Sequence, residues 1–248
     1  MDGIRLCWNM RGDLIMHIHV GVQHLSAIIR FDPQHEVVEL TRMMHGRYRE
    51  ATLKKLAEKA PDGSRFVVAV PQAITDPEWT GAGGAGETSN LRGFAPGEPL
   101  EAQIHYLHRA AGLVRAQTVL IRTPVSFRPT SQNIDRLGRF AGHAKWKNLR
   151  LVWQADGLWD PARVSSVSAE LGLTPVMDPL VAPAPVEAAD FAYFRVRGMQ
   201  PSRLIPELQH LELLESCRPF KRIFLVFCTS NPVQDARNFM ENAANSAQ

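Results

Sequence analysis

The feature of the sequence that most constrains its fold is a series of eight short apolar runs separated by longer segments. Some of these runs alternate apolar and polar residues, and others are almost continuously apolar, as is typical of parallel strands covered on both faces. The runs lie at 16–23, 36–41, 65–71, 118–124, 149–155, 173–178, 193–197 and 222–229. We therefore expect eight β-strands.

Helical patterns follow most of these strands. They cover residues 48–60, 99–115, 131–144, 161–171, 203–216 and 233–244. Eight strands alternating mostly with helices over about 250 residues predict an α/β fold, the (β/α)8 TIM barrel. A doubly wound open sheet is the alternative, and it is disfavoured because no glycine-rich dinucleotide turn follows the first strand.

No linker or shift in composition divides the chain, so we expect a single barrel domain at 16–248. Residues 1–15 form an N-terminal extension, and whether they belong to the authentic protein is left open. A hydrophobic content of 45% and a net charge of +3 are those of an ordinary globular protein, and they permit an anionic ligand without requiring one.

The three cysteines, Cys7, Cys217 and Cys228, show no metal-binding spacing and favour a reducing compartment. No apolar run is long enough to span a membrane, and no signal peptide is recognisable. We expect a cytoplasmic protein without a membrane partner.

A long stretch at 72–99 is rich in glycine and proline, which predicts a flexible loop or lid. Its GAGGAG sequence at 81–86 could instead cradle a phosphate. That alternative is disfavoured because the motif neither follows a strand directly nor leads into a GK[ST] helix start. His105 and His108, on the following helix, are interpreted as surface residues.

In a TIM barrel, ligands bind where the strands end and the following loops begin. The side chains expected at these ends include arginines, carboxylates and tryptophans: Glu39, Arg122, Trp153, Asp156, Trp159, Asp178, Arg195 and Arg197. Arginine forks suit carboxylates and phosphates, and a tryptophan ring offers a stacking surface. The pattern indicates an anionic small molecule or a nucleic acid as partner.

Two other interpretations of these residues stay open. Glu39, Arg195 and Asp178 could form a purely structural ion cluster that closes the top of the barrel. Metal catalysis would need His19, Glu39, Asp156 and Asp178 to converge, and acid–base catalysis would use Glu39 or Asp178. No nucleophile motif is present, and we expect neither a bound metal nor a cofactor.

Six segments, in this order and spacing, resemble the DUF72 (YecE-like) family of TIM barrels. They are VVELTRMMH (37–45), FVVAVPQAIT (66–75), VLIRTPVSF (119–127), LVWQADGLW (151–159), FRVRG (194–198) and FLVFCTSN (224–231). The resemblance covers about residues 18–244. It implies a barrel of uncertain biochemical role, similar in fold to endonuclease IV-type enzymes, and therefore a possible link to nucleic acids.

Compared with the family pattern, scaffold positions are retained and pocket positions are changed. The retained residues are Glu39, Thr75, Pro124, Phe127, Trp159, Asp178, Arg195 and Gly198. The positions that depart from the pattern are Ala69, Asp76, Arg122, Trp153, Ala155, Arg197, Cys228 and Thr229. The resemblance therefore implies a divergent paralogue.

From the residues and the resemblance together, we expect a binding protein or degenerate enzyme that recognises a phosphate- or nucleotide-like anion. Arg122, Arg195, Arg197 and Asp156 would bind it, with Trp153 or Trp159 stacking. A hydrolase or lyase acting on a phosphorylated or nucleic-acid substrate is one alternative. A protein-interaction module that uses the 72–99 loop is the other.

Overall fold

The computed structural model describes residues 6–10, 14–23, 29, 31–80, 91–182, 189–198 and 203–246. All eight predicted strands are present, and one further strand precedes them. The strands are β1 (Leu6–Met10), β2 (Leu14–Val22), β3 (Val37–Leu40), β4 (Arg65–Ala69), β5 (Thr118–Thr123), β6 (Arg150–Ala155), β7 (Thr174–Met177), β8 (Ala189–Val196) and β9 (Phe220–Phe227).

Strands β2 to β9 form a closed barrel. Each pairs in parallel with the next, and β9 pairs in parallel with β2, with His17 opposite Arg222 and Val22 opposite Phe227. The predicted (β/α)8 barrel is thereby confirmed. Strand β1, inside the extension at 1–15, runs antiparallel to the start of β2, with Leu6 opposite Ile18.

Helices cover the outside of the barrel. They are α1 (Glu50–Lys59), α2 (Gln72–Thr75), α3 (Glu98–Leu113), α4 (Ser131–Ala141), α5 (Pro161–Leu171), α6 (Glu207–Cys217) and α7 (Pro232–Asn245). Helix α4 begins after Thr130, whose side chain accepts a hydrogen bond from the backbone of Asn133. Helix α5 begins after Asp160, which caps the backbone N–H groups of Ala162 and Arg163.

The stretch predicted as a loop at 72–99 contains short helical turns. Helix α2 and the 3-10 turn Arg92–Phe94 lie within it, and Leu91 and Phe94 are buried in the core. The GAGGAG sequence lies outside the described residues. His105 and His108 are exposed on α3, as predicted.

The interior face of the barrel is marked by Glu39 on β3 and Arg195 on β8, which contact each other across it. Because strand side chains alternate between faces, Tyr193 shares the interior face with Arg195. Trp153 on β6 lies on the outer face, whereas Gln154 beside it faces inward and contacts Arg195. Across the described ranges, no helix is long and apolar enough to cross a membrane.

Candidate functional site

A buried ion pair lies at the centre of the barrel, near the carboxyl ends of the strands. Glu39 accepts a hydrogen bond from Arg195 Nη2 at 3.1 Å, and Arg195 Nε lies 3.0 Å from Glu39 Oε1. The Tyr193 hydroxyl donates a hydrogen bond to Glu39 Oε1 at 2.7 Å. Both carboxylate oxygens of Glu39 are therefore occupied, and all three side chains are buried.

The electrostatics of this group fix its charge states. Burial by itself would lower the pKa of Arg195, but the adjacent Glu39 carboxylate raises it above its ordinary value. Burial, reinforced by Glu39, raises the pKa of Tyr193 well above its usual range. Burial also raises the pKa of the neighbouring Cys228 thiol to about 12. At neutral pH, Arg195 is charged while Tyr193 and Cys228 are neutral.

Gln154 connects this buried ion pair to the surface of the barrel. Its Oε1 accepts a hydrogen bond from Arg195 Nη1, and its Nε2 donates to Asp156 Oδ1 at 2.9 Å. The amide thus joins a buried cation to a carboxylate at the rim. In the sequence, Gln154 is marked only as a polar residue near the carboxyl end of β6, two residues before Asp156.

Asp156 holds two arginines at the carboxyl-terminal mouth of the barrel. Arg122 Nε donates to Asp156 Oδ2 at 2.8 Å, and Arg197 Nη1 lies 3.4 Å from Asp156 Oδ1. Asp156 is only 13% exposed, whereas the side chains of Arg122 and Arg197 are 42% and 53% exposed. Two partly exposed guanidinium groups therefore share one carboxylate and carry a net positive charge. We call Arg122, Asp156 and Arg197 the rim cluster.

The turn after β6 fixes Asp156 in this position. Gly157 has a φ of +93°, and a Cβ atom there would lie 2.8 Å from the backbone of Val125. Only glycine combines this conformation with so close an approach. The loops after β5 and β6 therefore approach closely here, and the pairing of Arg122 with Gln154 between the two strands brings Arg122 beside Asp156.

Asp178 orients the rim cluster through the backbone. Its Oδ2 accepts a hydrogen bond from the backbone N–H of Arg197 at 2.9 Å, and its Oδ1 accepts one from Leu180 at 3.2 Å. It forms neither a hydrogen bond nor an ion pair with Glu39 or Arg195. The predicted cluster of Glu39, Arg195 and Asp178 is therefore formed only by its first two members.

Asp178 gives a testable pH dependence. Burial raises its pKa above the ordinary 3.8, despite the two backbone N–H groups and the charge of Arg197. The folded state then binds this proton more readily than the unfolded chain, so stability falls as pH rises from about 3.8 through the raised pKa. For Asp178→Asn, the free energy of unfolding minus that of wild type should therefore increase in urea titrations as pH rises from about 3.8 through the raised pKa.

Asp190→Asn is the matched control, because the hydrogen bond from Lys221 lowers the pKa of Asp190. The ionised Asp190 side chain stabilises the fold above its ordinary pKa, and this contribution is lost as pH falls. The free energy of unfolding of Asp190→Asn minus that of wild type should therefore decrease as pH rises. Equal slopes for the two variants would contradict the assignment.

The two predicted stacking tryptophans do not lie at the mouth. Trp153 is fully buried on the outer face of β6, and its indole N–H donates to Thr123 Oγ1 at 3.0 Å. Trp159 packs against it with ring centroids 4.9 Å apart and donates to the carbonyl of Phe127 at 2.7 Å. Both rings are occupied by core packing between the barrel and its helices, and neither is placed for stacking on a ligand.

The residues considered for a metal site do not converge. His19 lies lower in the barrel, where it contacts Glu36 and the ring of Phe224, and Asp178 is engaged with backbone groups. In the parts of the chain that the structure describes, no group of three or more His, Cys, Asp or Glu side chains could hold a metal ion.

Among the comparisons with known proteins, only the superposition on solved structures gives matches. No protein-family model matches the sequence, and neither does any curated protein. A DUF72 family protein from Thermotoga maritima superposes with a TM-score of 0.66 at 16% identity, covering 94% of this chain and 100% of that one. A DUF72 family protein from Enterococcus faecalis superposes with a TM-score of 0.63 at 14% identity, covering 92% and 97%.

A xylose isomerase domain containing protein from Salmonella typhimurium gives a TM-score of 0.50 at 12% identity, with 86% of each chain covered. The chain is thus a TIM barrel with a buried ion pair beneath an arginine-rich rim. Its fold is that of the DUF72 family proteins, so the resemblance drawn from the sequence is confirmed at the level of the fold.

Proposed function

We propose that this chain is a divergent DUF72 protein that binds a phosphate- or nucleotide-like anion at the carboxyl-terminal mouth of its barrel. The observation that supports the proposal most is the rim cluster, in which Arg122 and Arg197 share Asp156 and keep guanidinium surface exposed. Two guanidinium groups held by one carboxylate can bind phosphate oxygens without first being ordered.

The buried ion pair below the rim has a supporting role in this proposal. Arg195 is buried and bonded to Glu39 and Gln154, so it does not reach a ligand directly. Through Gln154 it fixes the oxygen of Asp156 that faces Arg197. The ligand-binding groups are therefore Arg122 and Arg197, and Arg195 acts as a positioning residue.

A catalytic role is less well supported for the two carboxylates. Glu39 is buried and bonded to Tyr193 and Arg195, so its carboxylate is not exposed to accept a proton from a substrate at the mouth. Asp178 accepts two backbone hydrogen bonds. Binding accounts for this arrangement more directly than hydrolysis or elimination.

Calorimetric titration with inorganic pyrophosphate and with AMP tests the proposal. Arg122→Gln and Arg197→Gln should each weaken binding by about tenfold or more, because each removes charge-assisted hydrogen bonds worth roughly 1.5–3 kcal/mol. Arg139→Gln removes the same charge from an exposed position on α4 and should leave affinity unchanged.

Three results would count against the proposal or change it. If Arg122→Gln and Arg197→Gln both bind as tightly as wild type, the rim is not the site. If the losses equal that of Arg139→Gln, only net charge is being measured. Release of phosphate from a phosphomonoester that Asp178→Asn abolishes would instead support the hydrolase alternative.

A further inference from the structure

The opposite, amino-terminal end of the barrel carries an unexpected concentration of arginines. Arg65 begins β4, Arg150 begins β6, and Arg222 is the third residue of β9, where the pairing of β9 with β2 begins. Interior positions of such barrels are mostly filled by Val, Ile and Leu packed in layers. Three arginines at corresponding ends of three strands depart from that pattern.

Strand register places these arginines on the interior face. Arg150 lies four residues before Gln154, and Arg222 is paired with Phe191, which lies four residues before Arg195. Since side chains two and four residues apart share a face, both arginines point the same way as the buried network above them. Arg65 is two residues before Val67, the partner of the inward-facing Glu39.

Two cavities open at this end, with volumes of about 470 and 220 Å³. They share Arg65, Thr118 and Phe224 among their lining residues, and the larger is also lined by Arg150 and Arg222. The larger volume lies within the range of small-molecule sites, roughly 300–1,000 Å³. The floor is aromatic, because Phe191 and Phe224 pack edge to face with centroids 5.1 Å apart.

Among the residues that the structure describes, Arg150 and Arg222 differ from Arg65 in having no ion-pair partner. Arg65 lies 3.8 Å from Glu36 and donates to His19 Nδ1 at 3.1 Å. Neither Arg150 nor Arg222 has an ion-pair partner within 4 Å among the residues described.

The nearby carboxylate of Asp190 does not neutralise the pair. It is 82% exposed and bonded to Lys221 at 2.7 Å. Burial, and then the charge of Arg222, lower the pKa of Arg150, with Asp190 only partly opposing them. Arg150 and Arg222 are thus close enough to repel each other.

Of Arg150 and Arg222, only Arg150 has a described packing contact that explains its position. The Arg150 guanidinium lies over the ring of Phe191, 4.0 Å from its centroid, which is a cation–π contact. No described hydrogen bond holds Arg222. Arg150 and Arg222 are both exposed and line the same cavity, and an anion bound between them would relieve their mutual repulsion. Guanidinium forks suit the oxygens of a phosphate group.

We propose that the amino-terminal mouth is a second anion site, which binds a phosphate-bearing small molecule through Arg150 and Arg222. Its organic portion would lie against the aromatic floor, and Arg65 would border the site. This site is at the other end of the barrel from the rim cluster and uses none of its residues. It therefore stands or falls independently of the proposed function.

Titration calorimetry of the full chain with inorganic pyrophosphate and with AMP tests this second site. Wild type should bind at the amino-terminal mouth in addition to any binding at the rim. Arg150→Gln/Arg222→Gln should remove one class of sites, weakening that binding by about a hundredfold or more if each guanidinium contributes about tenfold. Arg122→Gln/Arg197→Gln should leave the same class intact. The exposed pair Arg139→Gln/Arg163→Gln matches the loss of charge and should retain wild-type binding.

Thermal unfolding of Arg222→Gln separates ligand binding from a structural role. In phosphate-free buffer its midpoint should equal or exceed that of wild type, because a repulsive charge is removed, and pyrophosphate should no longer raise it through this site. The proposal is overturned if Arg222→Gln lowers the midpoint while keeping the full pyrophosphate shift. It is also overturned if Arg150→Gln/Arg222→Gln binds like the charge-matched pair. Because pyrophosphate carries more negative charge than AMP, equal or tighter binding of AMP would support use of the aromatic floor.

Discussion

Replacing Glu39 with glutamine is expected to lower the free energy of unfolding by about 3–5 kcal/mol. The substitution keeps the shape of the side chain but leaves the Arg195 charge buried without its counter-ion. A buried charge that loses its partner retains its desolvation cost, and this cost exceeds the value of an ordinary hydrogen bond. Urea unfolding followed by far-ultraviolet circular dichroism measures the loss directly.

Two controls separate the ion pair from its surroundings. Tyr193→Phe removes only the hydroxyl that donates to Glu39, and should cost about 1.5–3 kcal/mol, the value of a hydrogen bond to a charged group. The double variant Glu39→Met/Arg195→Met removes both charges and should cost less than the sum of the two single methionine variants. Additive losses, or a loss below about 1 kcal/mol for Glu39→Gln, would show that the two charges are not coupled.

The barrel could be predicted from the sequence because its strands are short apolar runs with turn residues between them. Segments such as RFVVAVP at 65–71 bury both faces, which few folds other than parallel sheets require. Because both faces of such a strand are buried, the sequence does not show which face lies inside the barrel. Strand β6 is buried along Leu151–Gln154 on both faces, so no apolar–polar alternation shows that Gln154 points inward and Trp153 outward.

Part of the candidate site could be predicted from where its residues lie on the strands. Arg122, Asp156 and Arg197 are brought together because polar residues at the carboxyl ends of strands meet at one mouth. The prediction that Trp153 or Trp159 stacks on a ligand depended on which face of the strand lies inside the barrel, and the sequence does not show this. The arginines at the amino-terminal mouth lie at strand starts, where a charged residue resembles an ordinary solvated end. Counting back in steps of two from Arg195 would have placed Phe191 inside.

Replacing Trp153 with alanine is expected to cost about 3–5 kcal/mol, comparable to the loss at Glu39 but from a different cause. The ring is fully buried, packs edge to face on Trp159 and donates to Thr123. Truncation removes these contacts and leaves a cavity that close-packed neighbours fill only partly. Trp153→Phe keeps an aromatic ring and should lose less, including about 1 kcal/mol for the indole hydrogen bond.

Leu158→Ala is the matched control for Trp153→Ala, because Leu158 lies in the adjoining loop but is 75% exposed. Its stability should change by less than about 0.5 kcal/mol. The comparison that decides the role of the tryptophan is ligand affinity in the folded Trp153→Phe variant. If the ring only packs the scaffold, pyrophosphate and AMP should bind this variant as tightly as wild type. If the indole stacks on the ligand, the smaller phenyl ring should weaken binding of AMP but not of pyrophosphate. Because Thr123 lies one residue beyond Arg122, a loss for both ligands would mean instead that the packing under β5 and β6 sets the geometry of the rim cluster.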